Sequence, residues 1–115
     1  MKPAQINFVK ECLPAAVSAG AAFNLNPLVI LAQASYPLNF RRYDTRENSF
    51  LDFARLIRNN YRSAWQVSND PQAYAKEIAY SPYISELNGD NRETYRHSII
   101  QITQTIQPVM ALIGE

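Results

Sequence analysis

The chain has 115 residues, with 47% apolar and 18% charged side chains, which fits one globular domain and excludes a disordered tract. Eleven Lys and Arg against ten Asp and Glu leave a formal net charge of +1, so nothing argues for a nucleic-acid partner. One Cys and one His cannot build a disulfide or a zinc site, and three Gly are too few for a turn-rich β fold.

Residues 4 to about 23 are expected as a first helix. Phe8, Val9, Cys12, Leu13, Ala16 and Val17 recur at spacings of three and four, which is one buried face. Cys12 reads there as a small buried hydrophobe. Pro14 predicts a kink or break near Leu13. Small residues from Ala15 to Ala22 allow close approach by another helix, and Asn24-Leu25-Asn26 reads as the turn that follows.

Asn26 is a good N-cap and Pro27 suits a first helical turn, so a second helix opens there. Its run from Leu28 to Ala34 is apolar except for Gln33, which is expected as a hydrogen-bonded core amide. Pro37 ends it. An extended or looping segment from Leu38 to Tyr43 follows. Asp44-Thr45-Arg46-Glu47 has capping-box spacing and opens a third helix with Phe50, Phe53, Ala54, Ile57 and Tyr61 on its inner face.

Ser63 to Val67 reads as a short helical turn carrying Trp65, a core residue or an exposed indole able to stack on a ring. Asp70-Pro71 opens a fourth helix through Tyr80, with Tyr74, Ala75 and Ile78 inward. A loop from Ser81 to Asn91 contains Pro82 and Gly89. Asp90-Asn91-Arg92-Glu93 repeats the capping-box spacing. A last helix from about Asn91 to Gln107 carries Tyr95, Ile99, Ile102 and Ile106 on one stripe. Pro108 punctuates it, leaving Val109 to Ile113 as an apolar tail that packs back or meets a partner. His97 reads as a surface histidine. The expected fold is all-α, a compact bundle of five or six helices in one domain over residues 1–115, without bound cofactor or metal. No apolar run approaches the ~20 residues of a membrane span, and Lys2-Pro3 does not begin a leader-type apolar run. Met1 reads as a native start, in a chain that is cytoplasmic or exported without a cleaved leader.

Three blocks carry a resemblance. Asn26 to Ala34 reads NPLVILAQA after a helix ending in Leu13-Pro14-Ala15-Ala16-Val17. Phe40-Arg41-Arg42-Tyr43-Asp44-Thr45 precedes Ser49-Phe50-Leu51-Asp52-Phe53-Ala54. Tyr83-Ile84-Ser85-Glu86 is followed, after an insertion, by Tyr95. In this order they resemble the flagellar and autolysin-type glucosaminidases, glycoside hydrolase family 73 of the lysozyme-like superfamily. Two features depart from the family. Its catalytic glutamate follows AQA closely, and Pro37 stands at that position. The small β-rich lobe that follows it in the family has no counterpart, because Leu38-Asn39 leads directly into Phe40.

Glycoside hydrolysis needs a carboxylic acid to protonate the leaving oxygen and a second group at the anomeric carbon. A general acid contributes on the order of 10²–10⁴-fold in rate, and proline cannot serve. The resemblance therefore implies a glucosaminidase-like domain without catalysis, acting as a peptidoglycan-binding or protein-interaction module. It implies glycan contacts at Tyr83, Ser85 and Glu86, with Gln33 and Trp65 as further candidates. Tyr36, Phe40, Arg41, Arg42 and Tyr43 are the candidate interaction surface, which a partner or a second copy of the chain would cover. Two alternatives stand beside this reading. One is an active endo-β-N-acetylglucosaminidase using Glu86 or another subunit's carboxylate; the other is a purely structural helical module.

Overall fold

A computed structural model describes residues 3–35, 47–89 and 91–113. Among them there are six α-helices and no strand: α1 (Pro3–Phe23), α2 (Pro27–Ala34), α3 (Glu47–Asn60), α4 (Arg62–Gln66), α5 (Pro71–Ala79) and α6 (Arg92–Ile113). A single 3₁₀ turn, Glu86–Asn88, lies between α5 and α6. The chain is an all-α bundle, as the periodicity predicts.

The eight-residue α2 is the centre of the bundle and packs on α1, α3, α5 and α6. Leu28 to Gln33 are buried without interruption, because neighbours cover this helix on every side. Its start is built as the sequence foretells: Asn26 Oδ1 accepts the Leu28 N–H at 3.0 Å, and Pro27 occupies the first turn. Asn26 also reaches sideways, donating Nδ2–H to the Ser68 carbonyl at 3.0 Å and its backbone N–H to Ser68 Oγ at 3.2 Å.

The helix before it closes tightly. Asn24 takes the left-handed conformation at φ 54°, and the Leu25 N–H bonds the Gly20 carbonyl at 3.0 Å, a Schellman-type C-terminus. The buried face of α1 is Phe8, Val9, Cys12, Leu13, Ala16, Ala19 and Gly20. Val17, expected on that face, is 48% exposed. The 3.6-residue period carries the stripe from Ala16 to Ala19 and Gly20 instead. No break occurs at Pro14. It sits on the exposed side, where the carbonyl it leaves unbonded, that of Lys10, is on the solvent side of the helix.

The inner faces of α3, α5 and α6 are placed as expected, with Phe53 and Tyr61 only partly buried. Two expectations at α6 need correction. Asn91 caps it, its Oδ1 accepting the Thr94 N–H at 2.9 Å, while the Glu93 carboxylate turns outward to the Tyr80 hydroxyl. Pro108 does not end the helix, which runs on to Ile113. Val109 is buried, and Met110 and Ile113 pack on the core, so tertiary burial holds the last turn against the lost N–H. Residues 36–46, which contain Pro37 and most of the capping box expected before α3, lie outside the described residues.

Candidate functional site

One groove gathers the residues that carry chemistry. It is open to solvent, about 590 Å³ in volume, and lined by Gln33, Tyr83, Ile84, Gly89, Asn91, Thr94 and Tyr95. Its size falls in the range of small-ligand sites. α2 supplies the floor, the segment after α5 one wall, and the first turn of α6 the other.

Gln33 is buried and fully oriented. Its Nε2 donates to the Tyr95 hydroxyl at 3.0 Å, and its Oε1 accepts from the Tyr74 hydroxyl. Tyr74 is completely buried. Burial, reinforced by Tyr95 and Tyr83, pushes its phenol well above the ordinary value of 10, so it stays a neutral donor. With the Gln33 oxygen on Tyr74, the amide nitrogen is presented to Tyr95.

The wall is held as firmly. Ser81 Oγ donates to the Ile78 carbonyl at 2.7 Å and accepts the Tyr83 N–H at 3.2 Å. Arg92 Nη1 donates to the carbonyls of Ala79 at 2.5 Å and Ser81 at 2.8 Å, which closes the end of α5. Ile84 is buried as a plug. The Tyr83 ring meets Tyr61 edge-on at 5.6 Å and is tilted toward Tyr95 at 6.3 Å. Burial raises the Tyr83 phenol too, with Tyr61 adding a smaller push. Gly89 ends the 3₁₀ turn at φ 88°, a conformation that favours glycine, and a side chain there would meet only open space.

Among the sequence candidates, the structure brings Gln33 and Tyr83 into the groove. Ser85 and Glu86 are next to it in the chain but do not line it. The exposed Glu86 carboxylate lies 3.7 Å from Arg92 Nε instead. Trp65 is elsewhere: its indole N–H bonds the Phe23 carbonyl at 2.8 Å, closing the end of α1. Tyr36, Phe40, Arg41, Arg42 and Tyr43 lie outside the described residues. Tyr74, Asn91 and Thr94 are additions that the sequence did not single out. Tyr95 is legible as an apolar-stripe residue, but nothing local indicates that its hydroxyl meets Gln33 across 62 positions.

The described lining holds amide, hydroxyl and phenol groups and no carboxylate, imidazole, amine or thiol. These described groups can orient a neutral polar ligand. Cys12, the chain's one thiol, is buried in α1, and burial with help from Glu11 pushes it up to about 11. Among the described residues no group of His, Cys, Asp and Glu could hold a metal, and no helix is long and apolar enough to cross a membrane. No protein-family model matches the chain, and neither does any curated protein or solved structure.

Proposed function

We propose that this chain is a glucosaminidase-like domain that no longer cleaves glycan and that binds peptidoglycan fragments in the groove of α2 and α6. One observation carries the reading: Gln33, the polar residue of the Ala32-Gln33-Ala34 block, is the oriented floor of a groove walled by phenol rings, with no carboxylate among its described lining residues. Amide and hydroxyl groups match the hydroxyl and acetamido groups of a glycan. The half-buried Tyr83 offers ring surface to the apolar face of a sugar. Cleavage would need a carboxylic acid at the leaving oxygen, and Glu86, the sequence's candidate, is engaged by Arg92 outside the lining.

Titration calorimetry and NMR with a chitooligosaccharide and a soluble muropeptide test the reading. Binding should shift Gln33, Tyr83, Asn91, Thr94 and Tyr95, and Tyr83→Ala should weaken it about tenfold, as loss of one ring platform would. Absence of both heat and shifts would sink glycan binding. New reducing ends released from sacculi, and abolished by Glu86→Gln, would make the protein an enzyme after all.

A further inference from the structure

A second polar feature lies away from the groove, where α1 ends against α3 and α4. Arg55 and Arg58 both lie over the Phe23 ring, at 5.5 and 4.8 Å from its centroid, and Arg62 lies 5.3 Å from the centre of Trp65. Phe23 and Trp65 are themselves tied by the indole N–H to the Phe23 carbonyl. Three guanidinium groups are thus laid on one fixed aromatic base, within a chain whose net charge is only +1.

Part of the arrangement is structural, since cations near a helix C-terminus oppose its partial negative charge. That role does not require three, and like charges gathered together repel. Of these three arginines only Arg55 has a carboxylate partner among the described residues, the exposed Asp52 at 3.2 Å. Arg58 Nε donates to the side-chain oxygen of Asn59 at 3.2 Å, a neutral group. Glu77 shares a hollow of about 280 Å³ with Arg62 but makes no ion pair with it. A guanidinium attracted to a ring by its charge still carries N–H donors that can meet carboxylates.

We infer that Arg55, Arg58 and Arg62 form a docking strip for an acidic peptide segment of a protein partner. Charge complementarity selects the occupant: of the three guanidinium groups only one has an internal carboxylate partner among the described residues, so donors remain for carboxylates brought from outside. The strip suits a segment that carries several carboxylates. A single-stranded nucleic acid fits less well. It would need bare ring faces for its bases, whereas guanidinium groups already lie over Phe23 and Trp65. This inference stands apart from the groove and does not depend on glycan binding.

Trp65 is the chain's one tryptophan and sits within the strip, so its emission reports binding directly. The probe is a short glutamate-rich synthetic peptide, with a control in which glutamine replaces every glutamate. The full chain should respond saturably to the first and not the second, and added salt should weaken the response. The double variant Arg58→Gln, Arg62→Gln should bind about tenfold more weakly. Asp52→Asn, which frees Arg55 from its internal partner, should bind more tightly. Because that variant gains affinity, it decides the matter even if the double variant fails to fold. Equal binding of the glutamine peptide, or no change in Asp52→Asn, would overturn the inference. So would displacement of the peptide by an oligonucleotide or by anionic vesicles at lower concentration.

Discussion

Gln33 holds the hydroxyl groups of Tyr74 and Tyr95 at once, and neither bond is with a sequence neighbour. In Gln33→Leu the fully buried Tyr74 phenol loses its acceptor. An orphaned buried polar group costs about 1–3 kcal/mol, so the unfolding free energy from urea titration should fall by that amount. Combining Tyr74→Phe with Gln33→Leu should cost less than the sum of the two, because the orphan is then gone. Gly20 gives a second test. Gly to Ala inside a helix ordinarily gains about 0.5–1 kcal/mol. Here the new Cβ would lie 2.4 Å from the Leu25 carbonyl oxygen, and this backbone atom is fixed by the turn into α2. Overpacking of that kind costs about 1–3 kcal/mol, so Gly20→Ala should melt at a lower temperature than the parent. The sequence shows small residues at this end of α1 and hence room for close approach. It does not show that the closest approach is by the chain's own turn.

Most helix starts and ends were legible, and the end of α6 was not, for a local reason. Asn26-Pro27 and Asp70-Pro71 place cap and first-turn proline side by side, and the Asp70 carboxylate does accept the Ala73 N–H at 3.2 Å. Pro108 gives an equally local signal to stop, but it is overruled by burial of Val109 one residue later. Pro108→Ala should therefore restore a donor to the Gln104 carbonyl without moving the helix. A stabilisation of up to about 3 kcal/mol is expected, read as a higher melting temperature with unchanged helical circular dichroism. Between α5 and α6, the exposed Tyr80 hydroxyl donates to Glu93, whose carboxylate also faces Arg96 at 3.5 Å and His97 at 3.6 Å. The bond to Tyr80 is the main cause of the lowered Glu93 value, and the bond to Glu93 is the main cause of the raised Tyr80 value. The Glu93 contribution is present above the ordinary 4.5 and fades as pH falls through its lowered value. The Tyr80 contribution is present below 10 and fades as pH rises through its raised value. Tyr80→Phe should remove both, so its urea midpoint should vary less with pH than the parent's at the acid and alkaline ends.

All six helices contribute to one core, and the stripes that line it from α3, α5 and α6 were readable from periodicity alone. The groove was not, because its floor and walls come from segments far apart in the chain. The arginine strip was hidden for a different reason: a net charge of +1 averages over the surface and says nothing of where charge collects. The central helix has a consequence for time as well as space. At eight residues α2 is shorter than the ~12–15 that a helix needs to persist alone in water. Its amide hydrogens should therefore exchange with deuterium only when the whole bundle opens, and more slowly than those of the five-residue α4. Since Gln33 belongs to α2, a ligand resting on it would be felt by the entire molecule. Occupying the groove should slow exchange across the whole core rather than at the contact alone.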